Sequence, residues 1–406
     1  MKILQISPEG NLGSVGTIAE QIGSIVIDQG YKSYIAVGNN FLPSKSINYK
    51  IGNLFYRYLH AIETRIFDNN GRGSRVATIK LINWIRTISP DLVHIHQLHG
   101  YYLNFEVLIN FLIHNRIPVV ITLHDCWIFT GHCTYYESAG CNKWESICHN
   151  CELTSDYPKS LLIDNSRNNF LFKKNLFTKI ENLHLVSVSN WLDSQVVKSF
   201  LSRKSRHVIY NGIDLNIYNK KNLNKTNLLP KNLCNKFVIL GVASPWNSRK
   251  GLEDFISLSN IIDENYVIVL IGLSSSQISI LPSNILGIEK IVNRSILVDY
   301  YNVADVYVSF SKEETFGLTT VEAMACGTPP ILYNSTASPE IISDNTGFLI
   351  EKYDINKAFQ VIKFLKSNPD VLNEFGTNCI ERVKSKFNAV DRYKDYVKLY
   401  SKILNI

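Results

Sequence analysis

The chain has 406 residues, a formal net charge of +7, 45% hydrophobic and 19% charged residues, 12 Pro and 21 Gly. This composition buries a sizeable core and excludes collagen-like and disordered classes, while the length suits two domains and hence an interdomain cleft. The basic balance fits nucleic acid, an anionic membrane surface or a phosphorylated small molecule, and charge alone does not choose among them.

The start, Met1-Lys2-Ile3-Leu4-Gln5-Ile6-Ser7-Pro8, turns polar too soon for the apolar core of a secretory signal. The longest apolar run, about Val267 to Leu273, falls short of the roughly 20 residues that a bilayer-spanning helix needs. These features point to the cytoplasm, where the 8 cysteines are not expected to form a disulfide framework, so metal binding or burial must account for them.

In chain order, Lys2 to Ser7 reads as a strand, Gly10 to Gly16 as a glycine-punctuated turn, the stretch to Gln29 as a helix and Ser33 to Val37 as a second strand. Apolar runs at Asp91 to His96, Pro118 to His124 and His184 to Ser189 alternate with helical patterns, which predicts a parallel α/β sheet. A Cys-rich insert at 126–151 interrupts this half. Arg206 to Tyr210 and Asn211-Gly212-Ile213-Asp214 close it, and the Asn/Lys-rich stretch 215–235 reads as a linker. Phe237 to Ala243, Tyr266 to Gly272, Asp305 to Phe310 and Thr328 to Tyr333 start a second alternation. The expected organisation is a first domain over 1–214, a second over 236–385 and a C-terminal helix over 386–406. In that helix Phe387, Tyr393, Tyr396 and Tyr400 recur at near-helical spacing and suit core packing.

The segment Ser311 to Pro329 carries the most chemistry. Glu314 falls in a loop at a strand's carboxyl end, where open α/β sheets bind ligands, and Glu322 about one turn inside the next helix. Backbone N–H groups of Phe316, Gly317 and Leu318 would cradle a diphosphate at the helix start, leaving the acids to meet sugar hydroxyls. Taken alone, the two acids would read as surface charges. Arg249 and Lys250 could be surface charges too, but cations are unfavourable near a helix's positive end, which favours an anion ligand. Gly13, Ser14 and Gly16 open the first helix, yet Gly10, Gly13 and Gly16 do not make Gly-x-Gly-x-x-Gly. Gly38-Asn39-Asn40 also stands where a dinucleotide fold wants an acid, which argues against a dehydrogenase.

Glu314-x7-Glu322, with Phe316-Gly317 after the first acid and Ala323-Met324-Ala325-Cys326-Gly327 after the second, resembles the retaining GT-B glycosyltransferases of family 4. The likeness extends through Leu123-His124-Asp125, Ser187-Val188-Ser189, Asn211 to Asp214, Arg249-Lys250-Gly251 and Ala304-Asp305-Val306. His94-Ile95-His96, His99 to Asn104 and the Cys-rich insert resemble the branch that builds capsular, exopolysaccharide or colanic-acid type sugars. The resemblance implies two Rossmann-like domains facing across a deep cleft, with the C-terminal helix crossing back to the first. It implies a cytoplasmic hexosyltransferase that takes a UDP- or GDP-sugar, hands the hexose to a glycan or lipid-linked glycan and has no nucleic-acid partner.

By the same resemblance, Glu322 meets ribose hydroxyls, Glu314 with the Phe316 to Leu318 backbone meets the donor sugar, and Arg249 with Lys250 meets the diphosphate. The Gly13, Ser14, Gly16 loop faces donor phosphates or acceptor, His124 sits beside the reacting bond with Asp125, and Asn293 borders the base pocket. The family's usual Arg five residues before the Lys is Pro245 here, and Arg249 is a substitute. With no Asp-x-Asp motif, Lys, Arg and a helix N-terminus must offset the leaving charge, so no catalytic metal is expected.

Cys133-x7-Cys141-x6-Cys148-x2-Cys151 suits a structural zinc, with buried or free thiols as the alternative. His94, His96 and His99 suit packing or acceptor contact better than a metal. The basic, aromatic stretch Tyr56, Arg57, Tyr58, Arg65, Arg72, Arg75, Lys80, Trp84 is either a solvated face or a surface for a lipid-linked acceptor and the inner membrane. Rival functions are a GT-B epimerase or phosphorylase, or a non-catalytic glycan-binding protein.

Overall fold

The structure, a computed structural model, describes residues 1–406. It divides into two compact units, Met1–Tyr210 with Val390–Ile406, and Asn211–Ala389. In the first, seven parallel strands form one sheet: β1 (Lys2–Ser7), β2 (Lys32–Val37), β3 (Ile47–Lys50), β4 (Leu92–Ile95), β5 (Val119–Leu123), β6 (Leu183–Ser187) and β7 (Ser205–Val208), in the order β3-β2-β1-β4-β5-β6-β7. The central strands are buried on both faces, which is why they read as continuous Val/Ile/Leu runs. The edge strand β3 has no fully buried residue, and so gave no such run.

The second unit repeats the plan with β8 (Phe237–Val242), β9 (Tyr266–Leu273), β10 (Ile285–Glu289), β11 (Val306–Ser309), β12 (Pro330–Tyr333) and β13 (Phe348–Ile350), in the order β10-β9-β8-β11-β12-β13. In each unit the strand order reverses at one point, between β1 and β4 and between β8 and β11. There the loops at the carboxyl ends diverge and leave room for a ligand.

Residues 215–235 do not hang between the units; they are pinned to the second one. Lys221 donates its N–H to Asn302 Oδ1 (2.6 Å) and its ammonium to Asp299 (2.8 Å), Lys225 pairs with Asp305 (2.6 Å), and Leu229 and Tyr218 are buried. The division therefore falls after Tyr210.

The helix Ala389–Leu404 belongs with the first unit from Val390 onward. Its Tyr393, Tyr396 and Tyr400 are buried. Tyr400 OH meets His94 Nδ1 (2.6 Å), His94 Nε2 meets Thr122 Oγ1 (2.8 Å), and Thr122 donates to Tyr396 OH (3.0 Å). With both ring nitrogens satisfied and burial lowering its pKa to about 3, His94 is a neutral packing residue.

The Cys-rich insert is held by an aromatic core and a buried ion pair. Trp144 lies 5.1 Å from Phe129 and 4.8 Å from Tyr136, ring centre to ring centre. His132 Nδ1 contacts Asp68 Oδ1 at 2.6 Å with both side chains fully buried, while His132 Nε2 is buried without a partner. Lys173 donates to the carbonyls of Trp127 (2.7 Å) and Thr130 (3.1 Å). Cys133, Cys141, Cys148 and Cys151 are all free thiols, and no group of three or more His, Cys, Asp or Glu side chains is placed to hold a metal ion. Cys133 and Cys151 hydrogen-bond each other.

Candidate active site

In the second unit, the loops that follow β8 and β11 are fastened to each other beside the switch point. Trp246 anchors the first loop by donating its indole N–H to Ile271 O (2.9 Å), and Asn247 Oδ1 accepts the Lys250 N–H (3.1 Å). Gly251 has φ +73°, and a Cβ there would lie 2.4 Å from Phe310 O, so only glycine lets this turn rest on the end of β11. Lys312 N–H donates to Arg249 O (2.8 Å), and the Arg249 guanidinium to Glu313 O (2.8 Å). Lys250 pairs directly with Glu314.

Thr336 holds Glu314 from behind, its hydroxyl taking the Glu314 N–H (2.8 Å) and donating to Glu314 O (2.9 Å). Burial alone would raise the Glu314 carboxyl, but Lys250 and Arg249 outweigh it and hold the group below its ordinary value, as a carboxylate. Burial and the neighbouring Arg249 lower the Lys250 pKa against the pull of Glu314.

Gly317, at φ +98°, starts the helix Leu318–Ala325, whose N-terminus has no side-chain cap. Its N–H groups and positive dipole end suit an anion. Glu322 accepts a hydrogen bond from the buried Tyr301 hydroxyl (2.8 Å) and another from Tyr218. Burial pushes its pKa up to about 7 against these donors and Arg294. The structure thus gathers Arg249, Lys250, Glu314, Phe316 to Leu318 and Glu322 around adjoining loops and one helix. Asn293 stands apart in role: its side chain caps the helix Arg294–Val303 by accepting the Ser295 N–H (2.9 Å).

In the first unit, His96, His124, His99 and Asp125 line one small cavity at the ends of β4 and β5 with Gln97 and Trp127. Gln5 donates to Ala19 O (2.8 Å), which turns its Oε1 toward His96 Nε2 (2.9 Å). His96 therefore carries its proton on Nε2, and its Nδ1 accepts from His124 Nε2 (3.3 Å). Burial lowers both imidazoles, His124 to about 4, so both rings are neutral near pH 7. Asp125 accepts from His99 Nε2 (2.7 Å) and from the Trp127 N–H (2.9 Å), and Tyr157 OH meets His99 Nδ1 (3.0 Å). Burial works to raise the Asp125 carboxyl, and His99 with these donors brings it below its ordinary value.

The three histidines set aside in the sequence thus separate: His94 packs, His96 sets the tautomer of His124, and His99 is a hydrogen-bond partner of Asp125. Spacing gave no sign of this, because the pairings cross between strands.

Gly13, Ser14 and Gly16 do open the helix Gly13–Asp28. A Cβ on Gly16 would stand 2.7 Å from Glu9 O, so the glycine allows the helix to approach the β1 loop. A Cβ on Gly13 would lie 2.5 Å from Glu9 Oε2.

Known proteins support the same division. The family model "Glycosyltransferase Family 4" matches residues 49–217, and "Glycosyl transferases group 1" matches residues 231–382. The chain is similar to the Escherichia coli K12 protein WcaC, named as a colanic acid biosynthesis glycosyl transferase, at 22% identity over 99% of this chain and 100% of that one. It is also similar to CapM of Staphylococcus aureus, named as a capsular polysaccharide biosynthesis glycosyltransferase, at 24% identity over 54% of this chain and 62% of that one. Among solved structures, sucrose-phosphate synthase of Thermosynechococcus elongatus superposes with TM-score 0.73 at 18% identity, covering 100% of this chain and 99% of the other. HepE of Anabaena, solved in complex with UDP and glucose, superposes with TM-score 0.69 at 16% identity, covering 99% of each. The two family models together take in most of the chain, the fold agrees throughout, and the protein belongs to the two-domain GT-B glycosyltransferases.

Proposed function

We propose that this glycosyltransferase moves a hexose from a UDP- or GDP-sugar to a glycan, free or lipid-linked, during assembly of a surface polysaccharide. In this reading the anomeric configuration is retained, and side chains, not a catalytic metal, neutralise the leaving diphosphate. The names of the capsular and colanic-acid relatives support the pathway, and the UDP complex of a fold relative supports a nucleotide-sugar donor. The observation that carries the reading is the Lys250–Glu314 pair, largely buried beside Arg249 at the β8/β11 switch point, with side chains 19% and 15% exposed.

Arg249, Lys250 and the start of the helix Leu318–Ala325 hold the diphosphate, and Glu322 accepts hydrogen bonds from ribose hydroxyls. When the bond between anomeric carbon and phosphate oxygen breaks, the charge gathering on that oxygen meets the two cations and the helix dipole. The acceptor hydroxyl attacks from the face the leaving group vacates, its oxygen bonding to the anomeric carbon and its proton passing to the departing phosphate. No protein group need then act as general base. His124 and Asp125, ordered by His96 and His99, position hydroxyls through fixed hydrogen bonds.

The pH dependence of donor affinity tests this assignment. Ribose hydroxyls need the Glu322 carboxylate as acceptor, and the free protein holds it protonated below a pKa of about 7. Affinity for the nucleotide-sugar is expected to be flat above pH 8 and to weaken toward tenfold per unit below about pH 7. Glu322→Gln should flatten the profile, as followed by calorimetry. An unchanged profile in that variant would remove Glu322 from the donor site. The sign for folding is opposite: because the folded pKa is raised, the group's contribution to stability falls as pH rises from the ordinary carboxyl range to about 7.

A further inference from the structure

Thr336 is the one β-branched residue among the non-glycine positions with positive φ, at +49°. A side chain branched at Cβ crowds its own backbone in that left-handed region, so such a residue persists only where its surroundings hold it. Thr336 lies between β12 and the helix Ser338–Ile341. Glycine would take this φ without strain, so the turn itself does not ask for a threonine. What the threonine adds is a hydroxyl. That hydroxyl accepts the Glu314 N–H (2.8 Å) and donates to Glu314 O (2.9 Å), and so meets both backbone polar groups of the residue that carries the site's carboxylate.

The parallel pairing of β11 with β12 runs only as far as Ser309 and Leu332, so the loops that follow have no ladder to hold them together. Other contacts take over. Ser335 donates its hydroxyl to Lys312 O, and Ala337 donates its N–H to Glu314 O (3.2 Å), which with the Thr336 hydroxyl fills both lone pairs of that carbonyl. From the β8 loop, Arg249 accepts the Lys312 N–H and donates to Glu313 O. Two neighbouring loops thus grip the segment Lys312 to Glu314 through its backbone. Lys250 pairs with the Glu314 carboxylate, and Thr336 fixes the backbone from which that carboxylate is aimed.

We infer that Thr336 is a positioning residue of the transfer reaction, whose hydroxyl holds the Glu314 backbone and so directs the carboxylate at the donor sugar. This rests on the placement of Glu314 in the donor site and deepens it. The strained backbone at Thr336 is kept for the sake of that hydroxyl. Glycine, the residue best suited to the local φ, is therefore the wrong one for the reaction.

Acceptor-free release of nucleoside diphosphate from UDP- and GDP-hexoses by the full chain tests it. Thr336→Ser keeps the hydroxyl and should turn over at a rate close to that of the wild type. Thr336→Gly removes it without straining the turn and should lower kcat by about ten- to a hundredfold, the scale on which a misplaced group slows a reaction. A cooperative melting transition shows that the variant is folded. In a Glu314→Gln background the same glycine substitution should add no more than about threefold, since residues that act through one another are not additive. A glycine variant as active as the wild type would overturn the inference, and so would a serine variant as slow as the glycine one, because the turn or the methyl group would then be what matters. A glycine loss as large in Glu314→Gln as in the wild-type background would overturn it too. Should Thr336→Gly unfold, Thr336→Ala removes the same hydroxyl and gives the same readout. Glu314→Gln at full turnover would overturn the donor-site assignment and this inference with it, whereas a slowed Glu314→Gln beside an unaffected Thr336→Gly would overturn this inference alone.

Discussion

Lys250→Ala is expected to slow nucleotide-sugar turnover by about a hundred- to a thousandfold, the range seen when one preorganised group that stabilises developing negative charge is removed. Three features of the site give this expectation. The ammonium is held by a turn that Asn247 caps and Gly251 allows, and it pairs with Glu314 beside Arg249. Its environment is largely dry, so its interaction with a leaving phosphate is weakly screened. Its loss also leaves Glu314 with one cation fewer, so the carboxyl should move back up toward its ordinary range. The loss should lie mostly in kcat, because the charge on the leaving oxygen is greatest at the transition state. Lys250→Arg should recover part of it. Acceptor-free donor hydrolysis gives the rates; a drop confined to KM would make Lys250 a ground-state binding group only.

Asp68→Ala is expected to destabilise the first unit by about 3–5 kcal/mol, the cost of removing one partner from a buried ion pair. Asp68 also accepts the Asn165 N–H (3.0 Å), so one carboxylate ties the end of the helix Leu54–Phe67 to the Cys-rich insert and to the segment that follows it. Burial opposes charge on His132, yet the Asp68 hydrogen bond wins and raises its pKa. The pair's contribution is therefore fully present below the ordinary imidazole pKa and is lost as pH rises through the raised folded value. Denaturant titrations should show the variant's deficit largest near pH 6 and smaller above that folded value. A deficit that does not change with pH would mean that His132 is not charged in the fold.

Both predictions concern residues that the sequence presents unequally. Glu314 and Glu322 stand in a motif of fixed spacing between a strand and a helix, so one βα unit delivers both acids, and Lys250 stands in the Arg-Lys-Gly turn after β8. The same local logic made most strands legible, since parallel strands buried on both faces leave apolar runs. It failed for β3, β10 and β13, which lie at or next to sheet edges and are only partly buried. It also failed for Asp68, His99, Tyr157, Tyr218, Tyr301 and Thr336. Each of these acts through a partner 21 to 104 residues away, and no local pattern records that pairing. In the insert, cysteine spacing gives no sign of the packing of Trp144, Phe129 and Tyr136 or of the Asp68–His132 pair that organise the segment. The stretch 215–235 misled because its Lys and Asn residues looked solvated, when Lys221 and Lys225 in fact hold it to helix and strand carboxylates.

The central claim is that this chain activates a nucleotide-sugar with its own cations. It is tested most directly by incubating the pure protein with a panel of UDP-, GDP-, ADP- and TDP-hexoses in EDTA, without acceptor, and measuring the nucleoside diphosphate released. The account predicts slow release from UDP- or GDP-sugars that survives EDTA and disappears in Lys250→Ala and Glu314→Gln. Release that requires an added divalent cation, or no release and no thermal shift with any donor, would contradict it.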